Sequence, residues 1–177
     1  MIVTIVSGSN HAGSTTRSLC GHLASYFEDK GHSVHLFDVH ATPLPMFCED
    51  TKEWAEEAVG NLRTWMDAAN AIVLATPEYH GSVSGALKNA LDFLWPQFDG
   101  KPVLSVSVAG GPVGVSSLQH MQTMVRNCHG INSPEWISLG GANRTLDAQG
   151  RPEDERTRKR VQKAADYLLQ LAERLHD

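Results

Sequence analysis

A short segment near the N-terminus concentrates hydroxyl side chains and glycines just before a stretch with helical periodicity. It runs from Gly8 to Thr16 and reads GSNHAGSTT. The first backbone N–H groups of a helix have no partner within the helix, and they lie at the positive end of its dipole. Such a position favours anion binding, although a capped helix behind a polar loop would show the same residues. The candidate phosphate ligands are Ser9, His11, Ser14, Thr15 and Thr16.

The same segment argues against two nucleotide-binding motifs. Gly8 and Gly13 have the spacing of a Walker A motif, but Ser14 stands where that motif requires lysine. A nucleoside triphosphatase is therefore not supported. No G-x-G-x-x-G sequence occurs here, so a dinucleotide-binding Rossmann turn is not supported either.

Two further loops contain residues suited to hold a planar ring. In one, Pro77 and Gly81 restrict the backbone and Tyr79 offers a flat apolar face, although an ordinary turn with a surface tyrosine would look alike. In the other, Gly110 and Gly111 would let the backbone approach a ring closely because glycine has no Cβ; a simple tight turn is the alternative. The candidate ring-framing residues are Pro77, Glu78, Tyr79, His80, Gly81, Gly110 and Gly111.

The elements that must position these loops alternate between strand and helix. Strands are predicted over Ile2–Ser7, Ser33–Asp38, Ala71–Ala75, Pro102–Val108 and Glu135–Leu139. The alternation predicts an α/β fold with a five-stranded parallel sheet and helices on both faces, in a single domain over residues 1–177. In the doubly wound order 2-1-3-4-5, ligands bind where strands one and three end. The loops after those strands are the richest in Ser, Thr and Gly, so the site is expected there.

The helices between the strands have recognisable ends. The second is expected to begin with a capping box formed by Asp50 and Glu53, followed by Trp54 as its first apolar residue. The third, fourth and last helices are expected over Ser84–Trp95, from Ser116 or Ser117, and over Pro152–Leu175.

Two neighbouring stretches resemble a known family. They are Pro77–Ser82, which reads PEYHGS, and Gly85–Ala90, which reads GALKNA. Together they are similar to the flavin-contacting segment of the NADPH-dependent FMN reductases, a flavodoxin-like family that includes quinone, azo-dye and chromate reductases. The family's usual segment is close to Pro-Glu-Tyr-Asn followed by Leu-Lys-Asn-Ala, so His80 here replaces an asparagine.

The Gly8–Thr16 segment is similar to the phosphate-binding loop of the same family, Gly-Ser-x-Arg-x-x-Ser. With Gly8, Ser9 and Ser14 aligned, the family's arginine falls on His11, and Arg17 comes three residues after Ser14. A Gly-Gly pair like Gly110-Gly111 is also found in the family, after a Gly-Lys-Pro like that of residues 100–102.

The resemblance implies FMN as the cofactor and NADPH or NADH as the reductant. Hydride would pass from the nicotinamide to the flavin N5 and then to a quinone, an azo compound, a metal oxyanion or free flavin. No side chain is expected to be catalytic, because the cofactor carries the chemistry. Two alternatives stay open: a flavodoxin-type electron carrier, and a flavin-binding sensor or scaffold dimer without turnover.

Composition excludes several other classes of protein. A net charge of −5 argues against a nucleic-acid partner, and no apolar run is long enough to span a membrane. Cys20, Cys48 and Cys128 are too few and too scattered for a disulfide framework, and the nine histidines show no metal-ligand spacing. The N-terminal residues show no signal-peptide pattern. We therefore expect a cytoplasmic protein with a small-molecule electron acceptor.

The third predicted helix is apolar over more of its surface than one sheet face requires. Its apolar residues sweep roughly 200° of the helix, whereas a helix that covers a sheet needs about 100°. The surplus residues, Phe93 and Trp95, are expected to meet another subunit. Since members of the resembled family are typically dimers or tetramers, we expect a homodimer or a homotetramer.

His11 generates a first prediction, because histidines lose their charge around neutral pH whereas arginines keep it. If His11 pairs with the FMN phosphate, FMN should bind more weakly at about pH 8.5 than at about pH 7, since the favourable charge is lost as the pH rises. FMN titrations of the wild type and of His11→Arg would measure this, and the arginine variant should keep its affinity. Equal, flat affinities in both proteins would show that His11 is not the partner.

Overall fold

A parallel β-sheet forms the centre of the structure, a computed structural model that describes residues 1–50 and 56–176. Its strands are β1 (Ile2–Ser7), β2 (Ser33–Asp38), β3 (Ala71–Pro77), β4 (Pro102–Val108), β5 (Ile131–Asn132) and β6 (Ile137–Leu139). The order is β2-β1-β3-β4-β5, and β6 also pairs with β4. All of these pairs are parallel, so the expected order and its switch point between β1 and β3 are confirmed.

Helices cover both faces of the sheet. They are α1 (Thr15–Asp29), α2 (Glu57–Ala68), α3 (Gly85–Asp92), α4 (Val115–Asn127) and α5 (Glu155–His176). One buried cluster joins one sheet face to α1 and α5, and a second joins the other face to α2, α3 and α4. Every residue of β3 is buried, as expected for a central strand of a doubly wound sheet. The flavodoxin-like architecture predicted from the sequence is confirmed.

The predicted fifth strand, Glu135–Leu139, is shortened to β6 in the structure, and a separate short strand, β5, precedes it. β5 pairs with the start of β4 over two residues, and β6 pairs with the end of β4 from Ile137 onwards. Pro134 lies between the two strands and has no N–H to donate to the ladder, which explains the interruption.

Several helix ends differ from the prediction. α3 ends at Asp92 rather than Trp95, because Pro96 disfavours a helical residue before it and Trp95 has a non-helical φ of −138° and ψ of −69°. α4 begins at Val115, and α5 begins at Glu155 with Asp154 accepting a hydrogen bond from the Thr157 N–H. The capping box predicted for the second helix includes Glu53, and Trp54 was expected to follow it. Both residues lie outside the described ranges.

The structure corrects half of the argument for an oligomer. Phe93 is only 2% exposed, and its ring packs edge-on against Phe47 with 5.2 Å between ring centroids. It is therefore covered by its own chain. Trp95 is 61% exposed, so it alone of the two remains on the surface.

Gly8 is where the chain leaves β1 and passes close to α3. A Cβ at this position would lie 2.5 Å from the Leu87 Cβ and 2.8 Å from the Ala75 carbonyl oxygen, and the Gly8 N–H donates to that oxygen. A side chain therefore cannot be added without moving the loop or the helix.

We predict that Gly8→Ala lowers the free energy of unfolding by about 1–3 kcal/mol, because the added methyl group overpacks a buried contact. The matched control is Gly21→Ala within α1, where a Cβ meets no atom within 4 Å. That change should stabilise the protein by up to about 1 kcal/mol, since alanine favours helix. Urea unfolding measures both, and equal midpoints would contradict the close packing at Gly8.

Candidate functional site

The Gly8–Thr16 segment wraps around the N-terminus of α1. The Ser14 Oγ accepts hydrogen bonds from the N–H groups of Thr16 and Arg17 at 3.1 and 3.4 Å, so Ser14 is the N-cap of α1. The Ser9 side chain is buried, and its Oγ accepts from the His11 N–H at 3.4 Å. A hydroxyl that accepts these bonds still has its own proton to donate. The segment can therefore offer hydroxyl donors to an anion without losing its cap.

The sequence does not show where the Arg17 side chain points. In the structure it points toward the Gly8–Thr16 segment. Its Nε donates to the Asp38 carboxylate at 2.6 Å, and its Nη1 donates to the Ala12 carbonyl at 2.7 Å. Arg17 thus ties the segment to the end of β2. His11 is exposed and lies over Gly13, where a Cβ would be 3.4 Å from the His11 Nε2.

The Pro77–Gly81 loop contains a tight reversal. The Tyr79 N–H donates to the Ser82 carbonyl and the Ser82 N–H donates to the Tyr79 carbonyl, both at 3.0 Å. His80 and Gly81 have φ values of 52° and 70°, the pattern of a type I′ turn. The N–H groups of these two tip residues are not used by the turn's own hydrogen bonds. The Tyr79 side chain is 50% exposed beside them.

Glu78 does not present its carboxylate to the open side of this loop. Its Oε2 accepts from the Ser117 N–H at 3.0 Å and from the Ser117 hydroxyl at 2.8 Å, in the first turn of α4. The Ser107 hydroxyl lies 2.7 Å from the Ser117 hydroxyl. The Glu78 N–H donates to the Val108 carbonyl. Glu78 therefore joins the loop after β3 to the end of β4 and to the first turn of α4.

The Gly110–Gly111 loop is supported by a segment that sequence reasoning did not include. The Gly141 N–H donates to the Gly111 carbonyl at 2.8 Å, and a Cβ on Gly140 would lie 2.4 Å from that oxygen. Arg144 reaches the same loop, with its Nη1 3.8 Å from where a Cβ of Gly110 would be. No motif marks Arg144, because only the packing after β6 brings it here.

Ser84 is a second residue that sequence reasoning did not assign to the site. Its hydroxyl donates to the Gly8 carbonyl at 2.5 Å and accepts from the Leu87 N–H at 3.0 Å. Its N–H donates to the Thr76 hydroxyl oxygen. Ser84 thus caps α3 and connects the loops that follow β1 and β3.

Other chemistries are not supported by the described residues. Burial raises the pKa of the Cys20 thiol to about 12, so this cysteine stays protonated and is a poor nucleophile. Within residues 1–50 and 56–176, no group of three His, Cys, Asp or Glu side chains could hold a metal ion. No helix in the same ranges is both long and apolar enough to cross a membrane.

These residues fit a ligand with a phosphate at one end and a flat ring at the other. Hydroxyl donors and the N-terminus of α1 suit the phosphate. The half-exposed Tyr79, the tip of the type I′ turn and the Gly110–Gly111 backbone suit the ring. Both ends lie at the switch point of a doubly wound sheet. The fold and the loops define a flavodoxin-like α/β protein whose chemistry fits FMN.

Comparison with known proteins agrees with this fit. Residues 1–144 match the family model of the NADPH-dependent FMN reductases, and the chain belongs to that family. It is 34% identical to an NADPH azoreductase of Bacillus sp. (strain OY1-2), over 80% of this chain and 78% of the relative. It is 33% identical to an NAD(P)H-dependent FMN reductase of Pseudomonas aeruginosa, over 96% of this chain and 94% of the relative. The protein is therefore an FMN-dependent NAD(P)H oxidoreductase.

Solved structures agree on the fold. The flavoenzyme FerB of Paracoccus denitrificans, an NAD(P)H:acceptor oxidoreductase, superposes with a TM-score of 0.82 at 23% identity, covering 98% of this chain and 97% of FerB. An archaeal flavodoxin superposes with a TM-score of 0.66 at 13% identity, covering the whole of both chains. At these identities the likeness concerns the architecture alone.

The φ of His80 generates a prediction for the turn. Left-handed backbone is costly for most side chains, is tolerated by asparagine and glycine, and is an outlier for β-branched residues. His80→Val should therefore lose about 1–2 kcal/mol of unfolding free energy and bind FMN more weakly, whereas His80→Asn should keep or improve both. Urea unfolding and FMN titration measure the two properties. If the valine and asparagine variants behave alike, the turn does not constrain residue 80.

Proposed function

We propose that FMN is held by the two groups of residues that the sequence singled out, within a single domain over residues 1–177. Ser9, Ser14, Thr15, Thr16 and His11 bind the phosphate at the N-terminus of α1. The backbones of Pro77–Gly81 and Gly110–Gly111 frame the ring, and the Tyr79 side chain lies against it. The observation that carries this proposal is the meeting of the three loops at the carboxyl ends of β1, β3 and β4.

The protein's own groups bind and orient rather than exchange protons in this proposal. The Ser14 hydroxyl can accept from the helix and donate to the phosphate at once. The N–H groups of His80 and Gly81 are suited to donate to the polar edge of the ring. Glu78 acts on the ring only through Ser117 and the backbone, as a positioning residue. When bound, FMN supplies the capacity to accept hydride and to pass two electrons on.

The acceptor that we propose is an azo compound or a quinone. The likeness to an NADPH azoreductase supports this class. A quinone takes up one hydride equivalent, which carries the two electrons of one NADPH, and one proton from solvent, and becomes a hydroquinone. Full cleavage of an azo bond to two amines takes two NADPH and two solvent protons. We also propose a cytoplasmic protein and, from the exposed Trp95, a homodimer or homotetramer.

The test is anaerobic reduction of the FMN-loaded protein. NADPH should bleach the visible absorbance of the flavin, and an azo dye or a quinone added afterwards should restore it. A protein that binds FMN but is bleached by neither NADPH nor NADH would overturn the reductase proposal and favour an electron carrier or a sensor. A protein that takes up no FMN would overturn the proposed site.

A matched pair of variants tests the phosphate end of the site. Ser14→Ala and Asp154→Ala each remove the N-cap of a helix, of α1 and α5 respectively, so each should lose about 1 kcal/mol of stability. Only Ser14→Ala should also raise the Kd for FMN, by about tenfold, because only Ser14 is proposed to contact the phosphate. Fluorescence titration of FMN measures this. Equal FMN affinities in the two variants would remove Ser14 from the site.

A further inference from the structure

A cavity of about 500 Å³ opens between α3 and α4, next to the Pro77–Gly81 loop. Its volume lies within the range of small-molecule sites. The lining begins at Ser82, the last residue of the type I′ turn, and continues along facing sides of the two helices. The lining residues used below are Ser82, Val83, Lys88, His120, Thr123 and Met124.

The chemistry of this cavity suits an aromatic anion. Lys88 brings a permanent positive charge, and His120 is held at the rim by a 2.9 Å contact between its Nδ1 and the Ser82 hydroxyl. Val83 and Met124 supply apolar surface on which a flat ring can lie. The cavity therefore combines cationic and hydroxyl groups with an apolar wall.

Lys88 has one other partner, a carboxylate on its own helix. Its Nζ contacts the Asp92 carboxylate at 2.5 Å, but both side chains are partly exposed, 51% and 36% respectively. Exposed pairs one helical turn apart contribute little, so a phosphate dianion can compete with this carboxylate for the ammonium group.

We propose that this cavity binds the adenosine end of NADPH, with its 2′-phosphate at Lys88 and His120 and its adenine against Val83 and Met124. The inference rests on the proposed flavin site. A nicotinamide that reaches a flavin beside Tyr79 must extend away from the ring, and Ser82 joins the same turn to the cavity. The charge of Lys88 then makes the protein prefer NADPH over NADH, which differ only in the 2′-phosphate.

A binding experiment on the FMN-loaded protein tests the cavity without turnover. The probes are adenosine 2′,5′-bisphosphate and adenosine 5′-monophosphate, which differ in the 2′-phosphate, and calorimetry measures their affinities. The bisphosphate should bind more tightly. Lys88→Gln should weaken binding of the bisphosphate by about tenfold, because a charged hydrogen bond to the 2′-phosphate is lost. It should leave the affinity for the monophosphate unchanged.

Lys159→Gln is the matched control, since Lys159 forms the same kind of pair with Glu155 on α5. It should change neither affinity. In steady-state assays, Lys88→Gln should lower kcat/KM for NADPH about tenfold and leave that for NADH unaltered. Lys88 is half exposed, so the variant is expected to fold, and its melting temperature checks this.

The outcomes separate this inference from the proposed function. If NADPH and NADH both reduce the flavin and Lys88→Gln changes neither, the reductase stands and the cavity assignment fails. If neither nucleotide reduces the flavin, the proposed function fails, and the calorimetry still reports on the cavity. The inference is overturned if the bisphosphate does not bind and Lys88→Glu dissociates an oligomer seen by light scattering. The surface between α3 and α4 is then an interface between copies of the chain.

Discussion

The hydroxyl group of Ser84 makes the contact on which the rest of the site depends. It donates to the carbonyl of Gly8, which leaves β1, while it caps the helix that follows β3. Loops at the carboxyl ends of parallel strands have no sheet hydrogen bonds of their own, so their relative position must be set by such cross-links. The absence of a side chain at Gly8 lets this contact form, because a Cβ there would meet Leu87. In the FMN site that we propose, this contact sets the spacing between the phosphate end and the ring end before the cofactor binds.

Glu78 extends the same principle to the end of β4 and the start of α4. A carboxylate near the first turn of α4 is stabilised by the helix dipole and by two charge-assisted hydrogen bonds from Ser117. A glutamate in a ring-framing loop would ordinarily be taken as a ligand. Here its geometry makes it a brace between the loop after β3 and the two elements, β4 and α4, that flank the Gly110–Gly111 loop. Most of the donors left for a flavin ring are then backbone groups, which cannot change their position by rotating a side chain. Such preorganisation suits a cofactor that must be bound the same way in two redox states.

The sequence predicts the sheet and the places of the loops well, because hydrophobic period and the clustering of Gly, Ser and Thr are local signals. What it could not predict came from contacts between distant segments. Phe47 covers Phe93, which removes a residue assigned to a subunit interface. Arg144 reaches Gly110 only through the packing of the segment after β6. The brace role of Glu78 requires α4 to be in place. The interruption of strand pairing at Pro134 could have been predicted from the sequence, because proline has no N–H to donate to a strand ladder.

The two departures from the family pattern, His80 and His11, differ in their physical consequences. Histidine is among the side chains enriched in left-handed backbone, so His80 is compatible with the type I′ turn at the position where the family's usual segment has asparagine. Histidine at position 11 does not replace the family's arginine in the same way, because arginine carries a permanent positive charge and histidine does not. Arg17 does not simply replace that charge, since its guanidinium is paired with Asp38 and the pair is close to neutral as a whole. The attraction for a phosphate that we propose at the Gly8–Thr16 segment therefore depends chiefly on hydroxyl groups and on the helix dipole. Neither carries a full charge, so recognition here depends on the placement of donors more than on long-range attraction.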